Sequence, residues 1–216
     1  MSRAFFLLAA LLSIGCASCS PPADSGEQFS MTDIPRLAKY YPEVSATGDT
    51  SYHTIPIEKY INQYGDSFST EVLMGKISVT QLFFTSCEGI CPVISGNMFS
   101  VQKAFAGNSE VKLISLSVDP ARDSVGALRK YASRFKCDST QWTLLTGDKK
   151  KIYDQARYGY LLPGIEPGKG DEEDFIHSDR LTLVDRDGII RGYYDGTDTA
   201  QVCLLIEDVR TLLNQK

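Results

Sequence analysis

Two cysteines, Cys87 and Cys91, stand four apart in the run Phe83-Phe84-Thr85-Ser86-Cys87-Glu88-Gly89-Ile90-Cys91-Pro92. An apolar, strand-like stretch (77–84) precedes them and a helical pattern follows. Pro92 fits the first turn of such a helix, where no amide donor is needed. A helix N-terminus favours anions, so at least one of the thiols is expected to ionise more easily than a free cysteine. Ionised sulfur exchanges disulfides, and it also binds soft metals such as Cu(I). Helical neighbours four apart have Cβ atoms roughly 5–6 Å from each other, whereas a disulfide needs roughly 3.5–4.5 Å. A bridge therefore requires the first turn to unwind in part, and a metal between two sulfurs relaxes that demand. The spacing favours metal weakly and leaves the disulfide open.

A third donor is wanted, and the chain has two histidines, His53 and His177. His177 lies in Glu172-Glu173-Asp174-Phe175-Ile176-His177-Ser178-Asp179, just before a strand pattern. In a thioredoxin topology the loop before that strand approaches the cysteine loop, which would let His177 complete a set of two sulfurs and one nitrogen. The alternative is a solvated loop histidine. Thiolates suit Cu(I) and imidazole supports Cu(II), while zinc accepts the same donors. His53 reads as a strand or loop residue and Met98 as helix core. Cys203, inside the apolar run 202–206, reads as a buried thiol. Cys137, between Lys136 and Asp138, reads as more exposed, and a Cys137–Cys203 disulfide is the lesser alternative.

The elements that must position these residues follow from periodicity. Strands are predicted at 52–57, 79–84, 111–118 and 142–145, and helices at 92–106, 124–135 and 149–158. A hairpin, 181–184 and 189–194, flanks Asp185-Arg186-Asp187-Gly188, and a helix at 199–213 closes the chain. This order predicts an α/β fold, a mixed central sheet with helices on both faces. A cysteine pair at the end of an early strand, opening a helix, is the thioredoxin arrangement, here with three intervening residues instead of two.

The 216 residues, 43% hydrophobic, suit one medium domain with short extras. Residues 1–19 read as a lipoprotein-type signal segment. Arg3 is followed by an apolar stretch (4–12) too short to span a membrane, then by Ser13-Ile14-Gly15-Cys16. Cys16 is the candidate for lipidation and Cys19 the alternative. Residues 20–45 read as a flexible tether spanning about 25–30 Å, and 46–216 as the folded domain. Such a protein is expected in the cell envelope, outside the cytoplasm, held to the membrane by lipid. The net charge of -5, with no basic block, argues against nucleic acid. No glycine-rich phosphate loop, serine nucleophile elbow or paired-carboxylate motif is present.

Four blocks in the same order resemble the Sco/SenC family of copper-binding, thioredoxin-like proteins that assist cytochrome c oxidase assembly. They are Phe83 to Pro92; Ser115-Leu116-Ser117-Val118-Asp119-Pro120-Ala121-Arg122-Asp123; Trp142-Thr143-Leu144-Leu145-Thr146-Gly147; and Ile176-His177-Ser178 with 183–188. The resemblance implies that Cys87, Cys91 and His177 bind copper, with Asp119 orienting the ligands. Turn formation before Pro120 is the alternative role for Asp119. The resemblance also implies metal delivery to, or thiol reduction at, the binuclear copper site of the oxidase, with its copper-site subunit as partner. A metal-independent thiol-disulfide oxidoreductase and a peroxide-responsive redox module remain the alternatives.

Overall fold

The computed structural model describes residues 36–162 and 176–215. Its centre is a strand, Ile77–Phe83, in which every residue is buried. A strand covered on both faces has no reason to alternate apolar with polar residues, and this one does so only loosely. In chain order the strands are β1 (Pro42–Val44), β2 (Thr50–Tyr52), β3 (Lys59–Asn62), β4 (Ser67–Ser69), β5 (Ile77–Phe83), β6 (Val111–Ser117), β7 (Trp142–Thr146), β8 (Arg180–Val184) and β9 (Ile190–Asp195). The helices are α1 (Ile90–Ala104), α2 (Val125–Arg134), α3 (Lys149–Asp154) and α4 (Thr199–Asn214).

Seven strands form one sheet in the order β4-β3-β7-β6-β5-β8-β9. β5, β6 and β7 run parallel, while β8, β9, β3 and β4 join antiparallel. Parallel neighbours need crossovers, which α1 and α2 supply. Two apolar layers sandwich the sheet. Ile77, Val79 and Phe83 of β5 point to a core shared with α1, α2 and α4, whereas Leu82 points to one shared with α3. The sheet is thus mixed and covered by helices on both faces, as the element order predicts.

The β8–β9 hairpin turns where the sequence places it. Gly188 takes φ +78°, a region open to glycine, and its amide bonds back to the Asp185 carbonyl. The β3–β4 hairpin, by contrast, is seen in the sequence only as a turn at Gly65. The predicted helix 149–158 divides into α3 and a π-helical turn, Gln155–Gly159. Residues 36–45, read from sequence as the end of the tether, carry β1 and pack on the body. The Arg36 guanidinium pairs with the buried Asp208, and the Leu37 carbonyl accepts two bonds from Arg191. The predicted signal segment, with Cys16 and Cys19, and the start of the predicted tether lie outside the described residues.

Candidate functional site

The parallel strands end at one crevice, where open α/β sheets place their ligands. β5 stops at Phe83, whose carbonyl accepts from the Val118 amide, keeping the ends of β5 and β6 together. The chain then crosses Thr85, Ser86 and Cys87 and enters α1 at Ile90, with Gly89 as its N-cap. Cys91 is therefore the second helical residue and Pro92 the third, still within the turn that needs no amide donor.

Cys87 is half-buried and Cys91 buried. The two thiols lie near enough to influence each other's ionisation. Burial alone would push the Cys87 thiol up. The Cys91 amide and thiol, with the amides of Gly89 and Ile90, outweigh it and draw Cys87 below its ordinary value. These are the unpaired donors of a helix N-terminus, aimed at sulfur. Cys91 moves the opposite way: burial pushes it up to about 12, and its nearness to Cys87 adds to this. The expectation of one easily ionised thiol thus falls on Cys87.

His177 is exposed and lies three residues before β8. Its ring stands edge-on to Phe84, centroids 5.9 Å apart. His177, Ile176 and Ser178 line a shallow cleft together with Cys91, Phe84, Ile90 and Val118. The fold therefore brings the late histidine to a cleft that Cys91 also lines. Among the described residues, no three His, Cys, Asp or Glu side chains already converge as a metal-binding group. The donors fit a soft cation in kind, two sulfurs with one predisposed to ionise and an imidazole on the rim.

Asp119 sits at the β6 end, where its carboxylate pairs with the exposed Arg122 at 3.2 Å. Its backbone carbonyl accepts the amides of Arg122 and Asp123, the turn role open to it from sequence. The carboxylate that reaches the cysteine loop is Asp123, fully buried. It accepts from the Thr85 amide, the Thr85 hydroxyl and the Ser117 hydroxyl, tying the loop to the β6 end.

The remaining candidates have other places. The His53 Nε2 donates to the Gly159 carbonyl at 2.8 Å, a structural role on the π-helical turn. Met98 is core. Cys137 and Cys203 are unbridged, and their exposures reverse the sequence expectation. Cys203 is exposed because Val202, Leu205, Val209 and Leu212 form the inward stripe of α4, leaving 203 on the outer side. Cys137 packs against the core after α2, and burial pushes its thiol up to about 12.

The SCO1/SenC family profile matches residues 57–214. The SCO1 protein homolog of Bacillus subtilis is 31% identical over 151 residues, covering 69% of this chain and 78% of its own. A candidate copper-binding protein of Stutzerimonas stutzeri is 30% identical over 143 residues, 64% of this chain and 68% of its own. Among solved structures, a SCO1/SenC family lipoprotein from Bacillus anthracis matches with a TM-score of 0.66 and 27% identity, over 82% of this chain and 100% of that one. BsSco, described with a disulfide switch and as a member of the Sco family of cytochrome c oxidase assembly proteins, matches with a TM-score of 0.64 and 30% identity, over 76% and 95%.

Proposed function

The chain belongs to the SCO1/SenC family, and from that premise we propose that it is a copper chaperone that binds copper through Cys87, Cys91 and His177. Its task is to help assemble the binuclear copper site of cytochrome c oxidase, by metal delivery, by thiol reduction or by both. Copper is the ligand that the donor chemistry and the family share. The observation that carries the reading is the placement of the two thiols at the α1 N-terminus, with Cys91 lining a cleft that His177 also lines.

Each residue has a distinct part. Cys87, facing the helix amides, gives up its proton more easily than an ordinary thiol. Cys91 gives up its proton on metal binding, which costs more from its buried position. His177 would complete the donor set from the rim, and Asp123 fixes the loop through Thr85. Bound copper would hold the two sulfurs without demanding the short contact of a disulfide.

The asymmetry of the thiols supports a second activity at the same pair, thiol-disulfide exchange, with Cys87 attacking and Cys91 resolving. Lipidation at Cys16 would hold the domain at a membrane surface outside the cytoplasm. Among the described residues no helix is long and apolar enough to cross one.

Titration of the reduced protein with Cu(I), repeated for Cys87→Ser, Cys91→Ser and His177→Ala, tests the assignment. Loss of stoichiometric binding in the cysteine variants and weaker binding in His177→Ala are expected. Unchanged affinity in all three would overturn it.

A further inference from the structure

Behind the cysteine loop, a chain of polar groups crosses the apolar core. Trp142 Nε1, from β7, donates to Ser115 Oγ at 2.8 Å. Gln81 Nε2, from β5, donates to Ser115 Oγ at 2.7 Å and to Ser95 Oγ at 3.2 Å. Ser95 Oγ bonds the Tyr131 hydroxyl at 2.9 Å, and that hydroxyl donates to the Cys91 carbonyl at 3.4 Å. Gln81, Ser95, Ser115, Tyr131 and Trp142 are all buried.

The direction of this chain can be worked out. A phenol has one proton, and here it goes to the Cys91 carbonyl, so Ser95 donates to Tyr131. Ser95 in turn accepts from Gln81, because an amide nitrogen only donates. From Gln81 through Ser95 and Tyr131 each bond points toward Cys91, while Trp142 and Gln81 both donate to Ser115 behind it; bonds aligned as in the first run strengthen one another in a low-dielectric interior. The Tyr131 ring is held between Phe83 and Phe135, with centroids 4.9 and 4.7 Å away. The chain ends on the backbone of Cys91, the second residue of α1, and a bridge to Cys87 in the preceding loop has to bring the two Cβ atoms to roughly 3.5–4.5 Å.

We propose that Tyr131 is a positioning residue for Cys91: through its hydroxyl it holds the first turn of α1 in the geometry of the dithiol and resists closure of the Cys87–Cys91 disulfide. Closure against oxidised glutathione transfers two electrons and two protons from the cysteines, forms their S–S bond, breaks that of glutathione and releases two glutathione thiols. A shift of the Cys91 backbone on closure draws its carbonyl away from Tyr131, so the chain of bonds biases this equilibrium toward the thiols. The inference rests on the proposed site only in taking Cys87 and Cys91 as its working pair, and neither copper nor His177 enters.

The test equilibrates the full, metal-free chain in glutathione buffers and counts dithiol by alkylation and mass. Tyr131→Phe and Ser95→Ala should each shift the equilibrium about threefold to tenfold toward disulfide, the range for one buried hydrogen bond. A tenfold shift corresponds to a midpoint about 30 mV more negative. Thr80→Val, which removes another buried hydroxyl bond, to Tyr160 at 3.2 Å, should leave the equilibrium unmoved. Both variants staying within twofold of the parent, or Thr80→Val shifting equally, would overturn the proposal. If one variant fails to fold, the other carries the same measurement. Absence of copper binding in the parent protein would end the copper reading and leave this result standing.

Discussion

The Thr85 hydroxyl and amide both donate to the carboxylate of Asp123, from 38 positions away. With Ser117 donating to the same carboxylate at 2.6 Å, one buried side chain binds the cysteine loop to the β6 end. Asp123→Ala leaves the buried Ser117 hydroxyl and the half-buried Thr85 donors unpaired, at a cost of about 2–4 kcal/mol. Urea unfolding should show that loss, and copper titration should show weaker binding. Asp119→Ala, which removes a partner only from exposed Arg122, should cost at most about 1 kcal/mol. Equal effects of the two substitutions would contradict this division of roles.

Reduced, metal-free protein should react with iodoacetamide at Cys87 first. The helix amides hold its thiol below the ordinary range, while Cys91 is pushed up to about 12. Peptide mapping across pH 6–9 should find Cys87 labelled well before Cys91 throughout. Similar rates for both would count against the thiol nest.

Stability should fall on the alkaline side. Cys91 and Cys137 are raised to about 12 in the folded chain, against about 8.5 for a free thiol. Between these values the folded state holds protons that the unfolded state has released, so the unfolding free energy declines with rising pH. The contribution is fully present below about pH 8.5 and is lost toward pH 12. Denaturant titrations at pH 7.5, 9 and 10 should show the decline, and Cys137→Ala should flatten it. A Cys137→Ala curve parallel to the parent would refute the thiol's part.

Lys136 takes φ +53° just beyond α2, with its amide bonded to the Ser133 carbonyl and Cys137 bonded back to Ala132. Glycine suits this left-handed closing position. Lys136→Gly should stabilise the protein by about 1 kcal/mol, read as a higher denaturant midpoint with unchanged slope. A lower midpoint would show that the lysine side chain contributes more than its backbone strain costs.

Asp208, buried on α4, accepts from Tyr194 and pairs with Arg36. Asp208→Asn should loosen residues 36–41, making cleavage there by limited proteolysis faster while the core stays protected. Unchanged cleavage would show that the Arg191 grip on Leu37 suffices.

Much of this architecture was readable because burial imposes pattern. β5, β6 and the α1 stripe of Ile94, Met98 and Val101 are apolar wherever the core needs them, and Cys87, Cys91 and the His177 block carry their own spacing. β3 and β4 escaped because they are short and mostly uncovered, so Lys59–Asn62 and Ser67–Ser69 show no apolar rhythm. Asp123 escaped for a different reason. Its role exists only when Thr85 and Ser117 meet it, and nothing in the local sequence separates it from Asp119. Cys203 misled because an apolar run on an amphipathic helix still has an outer side.

β5 owes its two flanks to distant stretches of chain: Ile77 pairs with Val111, and Val79 pairs with Leu183. A polypeptide emerging from its amino end therefore carries both thiols long before their strand is walled in. Until residue 184 has arrived, that strand keeps a raw edge, and pairings so remote in sequence are slow to form. Maturation of the pair is a late event in the life of a newly made molecule, governed by its final third, and the interval before it is when stray oxidants have their best access.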